Sequence, residues 1–228
     1  MSSANKTGPA GRHGKAPAPT AGAASRQTIL DTAARLFRQE GYAATSLRAI
    51  ADACGMKAGS LYYHFDSKDQ IVSEVLDIGV RSVFDAVRAA VEALPPDADL
   101  IATLQCAIEA HLRALLHAQD FTSANIRIFG QVPVSVRASH KSLRRSYETF
   151  WLDMLSGLQR RGQIGVGTDL RRTVFFLFGA MNWTTEWYDE KRSALPALAA
   201  ELADLVANGL RPKPAARARR PAAKQGKA

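Results

Sequence analysis

The 228-residue sequence contains only two cysteines, Cys54 and Cys106, too far apart in the chain to read as a paired motif. That scarcity excludes a disulfide framework and the usual zinc spacings, and it fits a reducing compartment. Long apolar runs are also missing. The longest unbroken one, Val174 to Met181, has eight residues, where a membrane span needs about 20. Residues 1–24 contain no Ile, Leu, Val or Phe, so no signal-peptide core is read there and a cytoplasmic protein is expected. No His-x-x-x-His, Gly-x-Ser-x-Gly or Cys-x-x-Cys occurs, and His111 and His117, six apart, do not share a helical face. The glycines at 162, 165 and 167 lack both a preceding strand and a following Lys-Ser/Thr, so they do not form a phosphate loop. Neither an enzyme nor a metal or other cofactor is expected.

What is present in excess is positive charge, with 30 Lys+Arg against 21 Asp+Glu and a net charge of +9. A basic balance suggests a polyanionic partner only if the charge lies where binding occurs. Residues 1–26 carry +4 and residues 211–228 carry +7, with no acid in either segment, so residues 27–210 hold 19 basic against 21 acidic groups, a net of −2. Both ends are rich in Ala, Pro and Gly, and such segments bury too little apolar surface to offset chain entropy. Residues 1–24 and 211–228 are therefore expected to be disordered basic tails, serving either non-specific attraction to phosphates or solubility.

Between the tails the apolar period is three to four residues and no alternating strand of five or more is found, which predicts an all-α fold. Ile29, Leu30, Ala33, Leu36 and Phe37 stripe one face of a first helix that stops at Gly41. A second helix spans roughly 46–54 with Thr45 as candidate N-cap, and a third spans about 57–64. Asp66 is the candidate cap of a long fourth helix that ends before Pro95-Pro96. Further helices are expected near 99–118, 121–131, 134–161, 169–189 and 193–208, about nine in total.

Residues 25–70 thus form a three-helix unit whose second and third helices are joined by only a few residues around Gly55. This is the helix-turn-helix arrangement (motif at about 46–65), with the third helix as the groove reader. Lys57 and Ser60 sit at the start of that helix, where side chains reach base edges. Thr45 and Ser46 can donate to a phosphate. Lys68 opposes the dipole of its own helix, a local penalty that makes sense if it serves an external anion, and Arg48 is a similar candidate. Leu61 and Phe65 are expected to be core, and Tyr63 to be core or elbow packing with DNA contact as its other reading, whereas Tyr62 faces away from Leu61 and Phe65. The Gly-x-x-x-Gly-Ser-Leu-Tyr-Tyr-His-Phe-x-x-Lys run at 55–68 and the Ala-x-x-Leu-Phe-x-x-x-Gly-Tyr run at 33–42 closely resemble the DNA-binding domain of TetR/AcrR-family repressors. The resemblance covers residues 25–72. It implies that Tyr62 and His64 touch the DNA backbone.

Beyond residue 72 the likeness is architectural only. It implies a ligand-binding and dimerisation domain over 71–210 that releases double-stranded DNA, bound at a palindromic operator, when a small molecule binds. The last two helices, within 169–208, are apolar on more than one face, as a two-fold interface with a second copy requires. Phe121, Arg127, Phe129, Trp151, Met154, Phe176, Trp183 and Trp187 are candidate pocket residues, with plain core packing as the other reading of the aromatic residues and Met154. Arg127, Arg137, Arg144 and Arg145 are candidates for an acidic ligand group, with a solvated face as the other reading of each. Residues 179–188 look like the penultimate helix of family members that answer to acyl-CoA thioesters or other hydrophobic acids. Helix 66–94, with Gly79 as its weak point, would carry the response to the reader. A DNA-binding protein of architectural type, with no effector, is the alternative.

Overall fold

A computed structural model of the chain describes residues 21–117 and 119–211. The expected tails lie outside the described residues except for 21–24 and Arg211. Residues 21–24 extend the first helix, whose start is rich in alanine, the strongest helix former. Ten helices follow in order among the described residues: α1 Ala21–Glu40, α2 Leu47–Ala53, α3 Ala58–Tyr62, α4 Lys68–Glu92, α5 Leu100–His117, α6 Gln119–Ile128, α7 Val134–Ser139, α8 Lys141–Arg160, α9 Leu170–Trp187 and α10 Leu195–Leu210. The described residues contain no strand, so the all-α class holds.

The count is ten rather than nine because the stretch expected as one helix over 134–161 divides at His140. This residue is the C-cap of α7 and adjoins the start of α8. Its buried imidazole meets the Asp77 carboxylate of α4 at 2.8 Å. The helix thus divides at a residue whose side chain meets a partner 63 residues away. The helix starts also differ in detail. Ser46 and Ser67, not Thr45 and Asp66, are the N-caps of α2 and α4, accepting from the amides of Ala49 and Gln70 at 3.1 Å. The Gln70 side chain in turn accepts from the amide of Asp66 at 2.7 Å, a close variant of the capping box.

Two apolar cores result. The first gathers Ile29, Leu30, Phe37, Ile50, Leu61 and Phe65 with Ile71, Val75 and Leu76 of α4 and Ala124 and Ile128 of α6. The second gathers Val83 and Val87 of α4 with the inner faces of α5, α8, α9 and α10. Helix α4 therefore belongs to both, and the first core crosses the boundary expected at residue 70. Polar ties fix the same junction: Arg26 to Glu74, Arg38 to Asp120 at 2.7 Å, and the Asn125 amide to the Leu76 carbonyl at 2.8 Å. A Cβ at Gly79 would stand 2.6 Å from the Phe121 carbonyl oxygen. Gly79, expected as a weak point, is instead where α4 and α6 approach most closely.

Candidate nucleic-acid interface and effector cavity

The turn between α2 and α3 depends on Gly55, whose φ of +67° lies in the left-handed region. Its amide bonds the Asp52 carbonyl at 3.1 Å and the Met56 amide bonds the Ala51 carbonyl at 2.9 Å, closing α2. α3 then buries Leu61, and Phe65 follows into the same core. Tyr63 lies two residues from each, so its side chain emerges on the opposite face. It is 89% exposed, and Tyr62 is 55% exposed. The expectation that Tyr63 is packing is thereby corrected. The half-buried His64 ring stands edge-on to Tyr63 with centroids 5.6 Å apart.

The other expected contact residues separate into two groups. Ser46, Arg48, Lys57 and Ser60 are exposed around α2 and α3, and Lys57 precedes α3 with no side-chain capping bond. Arg48 has only a loose partner, Asp52 at 3.8 Å. Thr45, in contrast, is fully buried and donates its hydroxyl to the Gly41 carbonyl at 2.8 Å, so it is not available to a phosphate. Lys68 also turns inward. Its ammonium donates to the carbonyls of Tyr42 and Thr45 at 2.9 and 3.0 Å and sits 3.9 Å from the Tyr42 ring centroid. The anion expected for Lys68 is replaced by two backbone oxygens and a ring face, and burial lowers its pKa. The Tyr42 hydroxyl donates to Asp69 at 2.6 Å, and burial together with that carboxylate raises its pKa to about 12. Tyr42, Lys68 and Asp69 thus latch the loop before α2 onto α4.

A cavity of about 530 Å³ lies between α4, α5, α6, α8 and α9. Of the expected pocket residues only Phe129 lines it. Trp151 is fully buried in the second core, with Met154 packed against the same core, while Phe121 packs against the first core and Arg127 is exposed. The cavity wall instead carries His111, Asn125, Arg144, Tyr147, Glu148, Phe175, Phe178 and Asn182. Tyr147 and Phe178 stack with centroids 5.1 Å apart. His111 Nδ1 lies 2.8 Å from the Tyr147 hydroxyl, and complete burial holds the imidazole neutral with a pKa of about 4. Arg144 lies over the Phe129 ring at 3.6 Å and donates to the side-chain amide oxygen Oδ1 of Asn125. Burial lowers its pKa, and its Nε is buried without a hydrogen-bond partner. Of the four arginines left open in the sequence, only Arg144 reaches the cavity; Arg127 and Arg145 are exposed, and Arg137 bonds the Gly130 carbonyl.

Phe176, Trp183 and Trp187 are 71%, 65% and 54% exposed. Their spacing of seven and four puts them on one outward stripe of α9. These residues, expected in a pocket, form a surface. Among the described residues no group of three or more His, Cys, Asp or Glu side chains could hold a metal ion, and no helix is long and apolar enough to cross a membrane.

An exposed α3 set on a glycine turn, joined by one helix to a cavity-bearing bundle, defines a helix-turn-helix DNA-binding regulator. Residues 29–75 match the model of bacterial regulatory proteins of the tetR family, and residues 97–210 match that of the tetracyclin repressor-like C-terminal domain. The chain belongs to the tetR family of transcriptional regulators. It is 28% identical over 198 residues to the HTH-type transcriptional repressor KstR2 of Rhodococcus jostii (strain RHA1), covering 84% of this chain and 94% of that protein. Among solved structures, the TetR-family regulator PfmR from Thermus thermophilus superposes with a TM-score of 0.69 at 26% identity, covering 80% of this chain and 98% of that one. AibR, in complex with isovaleryl coenzyme A and operator DNA, superposes with a TM-score of 0.67 at 23% identity, covering 82% and 98%.

Proposed function

We propose that the chain is a ligand-responsive repressor. It binds a palindromic operator as a homodimer and leaves it when a small hydrophobic or acyl-type effector enters the cavity. The observation that carries this reading is the dual membership of α4, which supplies Ile71 to Leu76 to the reader's core and Gly79, Val80 and Val83 to the cavity wall. Effector and operator then disfavour each other by one coupling energy, typically about 1–3 kcal/mol. Ser46, Arg48, Lys57, Ser60, Tyr62, Tyr63 and His64 form the DNA-facing surface. The outward stripe of α9, with exposed Leu205 of α10, supports the dimer, because an apolar patch of this kind marks a contact surface. A second copy joined there spaces two reading helices by about one DNA turn, roughly 34–36 Å, or a multiple. KstR2 is named a repressor, which agrees with this reading, and AibR takes an acyl-CoA, which agrees with an acyl-type effector. Such a regulator works in the cytoplasm, on the nucleoid.

The test is selection of binding sites from random DNA by the full-length protein, with sedimentation of the complex. An inverted repeat bound by two chains is the expected outcome. Binding without sequence preference and with a steep salt dependence would instead establish the effector-independent, architectural alternative.

A further inference from the structure

Arg144 stands out among the cavity residues because its charge has no answer. A guanidinium cannot shed its proton in a protein, and Arg144, half-buried with its Nε enclosed, has lost part of the water that would otherwise answer its charge. Among the described residues no carboxylate pairs with Arg144. The one acidic residue in the cavity wall, Glu148, lies a single helical turn away, yet its carboxylate is held by Arg171 of α9 at 3.0 Å. Arg144 keeps one hydrogen bond, to the neutral Asn125 side-chain amide, and its ring contact with Phe129, while Nε is left without a partner. The unused N–H groups form the planar fork that matches a carboxylate at two points.

We propose that the cavity takes a free carboxylic acid with an apolar body, its carboxylate held by Arg144 and its body against Phe129, Tyr147 and Phe178. This rests on the effector reading above and narrows it. One guanidinium balances one negative charge. A dianionic phosphate would bring an uncompensated charge close to Glu148, which shares the wall. A thioester of the same acid lacks the carboxylate altogether, and its anionic groups lie on a nucleotide for which the described cavity wall supplies no second cation. The volume of about 530 Å³ is within the roughly 300–1,000 Å³ of sites that enclose one compact ligand. The consequence for DNA binding follows from Asn125, which accepts from Arg144 and donates to the Leu76 carbonyl of α4. A carboxylate arriving at Arg144 competes for that bond and so acts on the helix that carries the reader.

The test uses the full-length protein and three kinds of probe: decanoate and 4-phenylbutyrate, their methyl esters, and decanoyl-CoA. Binding is read by calorimetry and operator release by fluorescence anisotropy. At least one acid is expected to bind and to weaken operator binding, with its methyl ester at least tenfold weaker. R144Q should lose at least tenfold in affinity for the acid. R171Q, a surface change that frees Glu148 to pair with Arg144, should lose severalfold; it carries the test if R144Q does not fold. Equal binding of acid and ester, full affinity in both variants, or failure of both acids to bind would overturn the carboxylate site. Release by decanoyl-CoA or an ester alone would overturn it while leaving the effector reading intact. An operator complex unmoved by every probe would count against both.

Discussion

The two cores of the molecule are built to different rules. The first, around α1 to α3 and the start of α4, is filled by Ile, Leu, Val, Ala and two phenylalanines, and Thr45 is its one buried polar residue before α4 among the described residues. Beyond α4, helices α5, α6 and α9 and the α7–α8 junction hold Thr103, His111, Thr122, Asn125, His140 and Thr184 among their buried groups, and a cavity opens between α4, α5, α6, α8 and α9. A dry, filled core fixes the angle at which α3 meets DNA, since close-packed interiors do not deform gradually. A hollow core with polar walls gives up packing energy and keeps hydrogen-bonding groups ready for a ligand. The difference is one of packing: filled beside the surface that faces DNA, and unfilled with polar walls where an effector is proposed to bind.

The sharpest way to break the comparison is at the DNA-facing surface. Replacing Tyr62 and Tyr63 together by alanine should cost at least about thirtyfold in operator affinity, at roughly 1–3 kcal/mol for each lost contact. The melting temperature should hardly change, because both rings are exposed. A matching loss of thermal stability would show that the tyrosines belong to the fold.

The hollow core should instead be sensitive to pH. Burial lowers the His111 pKa from 6.5 to about 4, so the unfolded chain takes up the proton first as pH falls. The stability contributed by the neutral imidazole is complete above pH 6.5 and is lost between pH 6.5 and 4, by about 3 kcal/mol. Urea denaturation of His111→Gln across this range should give a correspondingly flatter profile than that of the wild-type protein. An unchanged slope would locate the acid sensitivity elsewhere.

Gly79→Ala addresses the seam between the regions. The added methyl group meets a backbone oxygen that cannot rotate away, so a loss of about 1–3 kcal/mol is expected. On the proposed function, operator affinity and effector response should change together, because Gly79 lies on the helix shared by the reader's core and the cavity wall. Lys68→Met should have the smallest effect on DNA. It removes two internal hydrogen bonds and costs the reader about 1–3 kcal/mol of stability, but the slope of log affinity against log salt should stay as it was. A slope shallower by about one would mean that Lys68 meets a phosphate after all.

Legibility followed the same division. The reader could be recognised because its residues act through local spacing, with Leu61 and Phe65 four apart and Gly55 at the turn, although the caps of α2 and α4 fell one residue beyond those expected. Lys68 misled for the opposite reason. Its penalty at the start of α4 is visible locally, but the carbonyls of Tyr42 and Thr45 that offset it lie 26 and 23 residues away. Tyr63 misled because an aromatic residue between two core positions reads as packing until the helical angle is applied. In the second region Trp151, Phe176, Trp183 and Trp187 were grouped by residue type, whereas burial divided them into one core residue and three surface residues.

The amino-acid order by itself determined the helical class, the position of the helix-turn-helix, the turns at which its helices start and the near neutrality of the folded part. All of these depend on neighbours within one or two turns, where spacing stands in for geometry. Tertiary structure alone decided which arginine reached the cavity, where the cavity opened, which distant carboxylate His140 meets and which face of α9 stays uncovered. Each of these depends on groups tens of residues apart, Arg171 drawing Glu148 away from Arg144 and Asp77 drawing in His140, and such competition for partners is settled only when the helices pack.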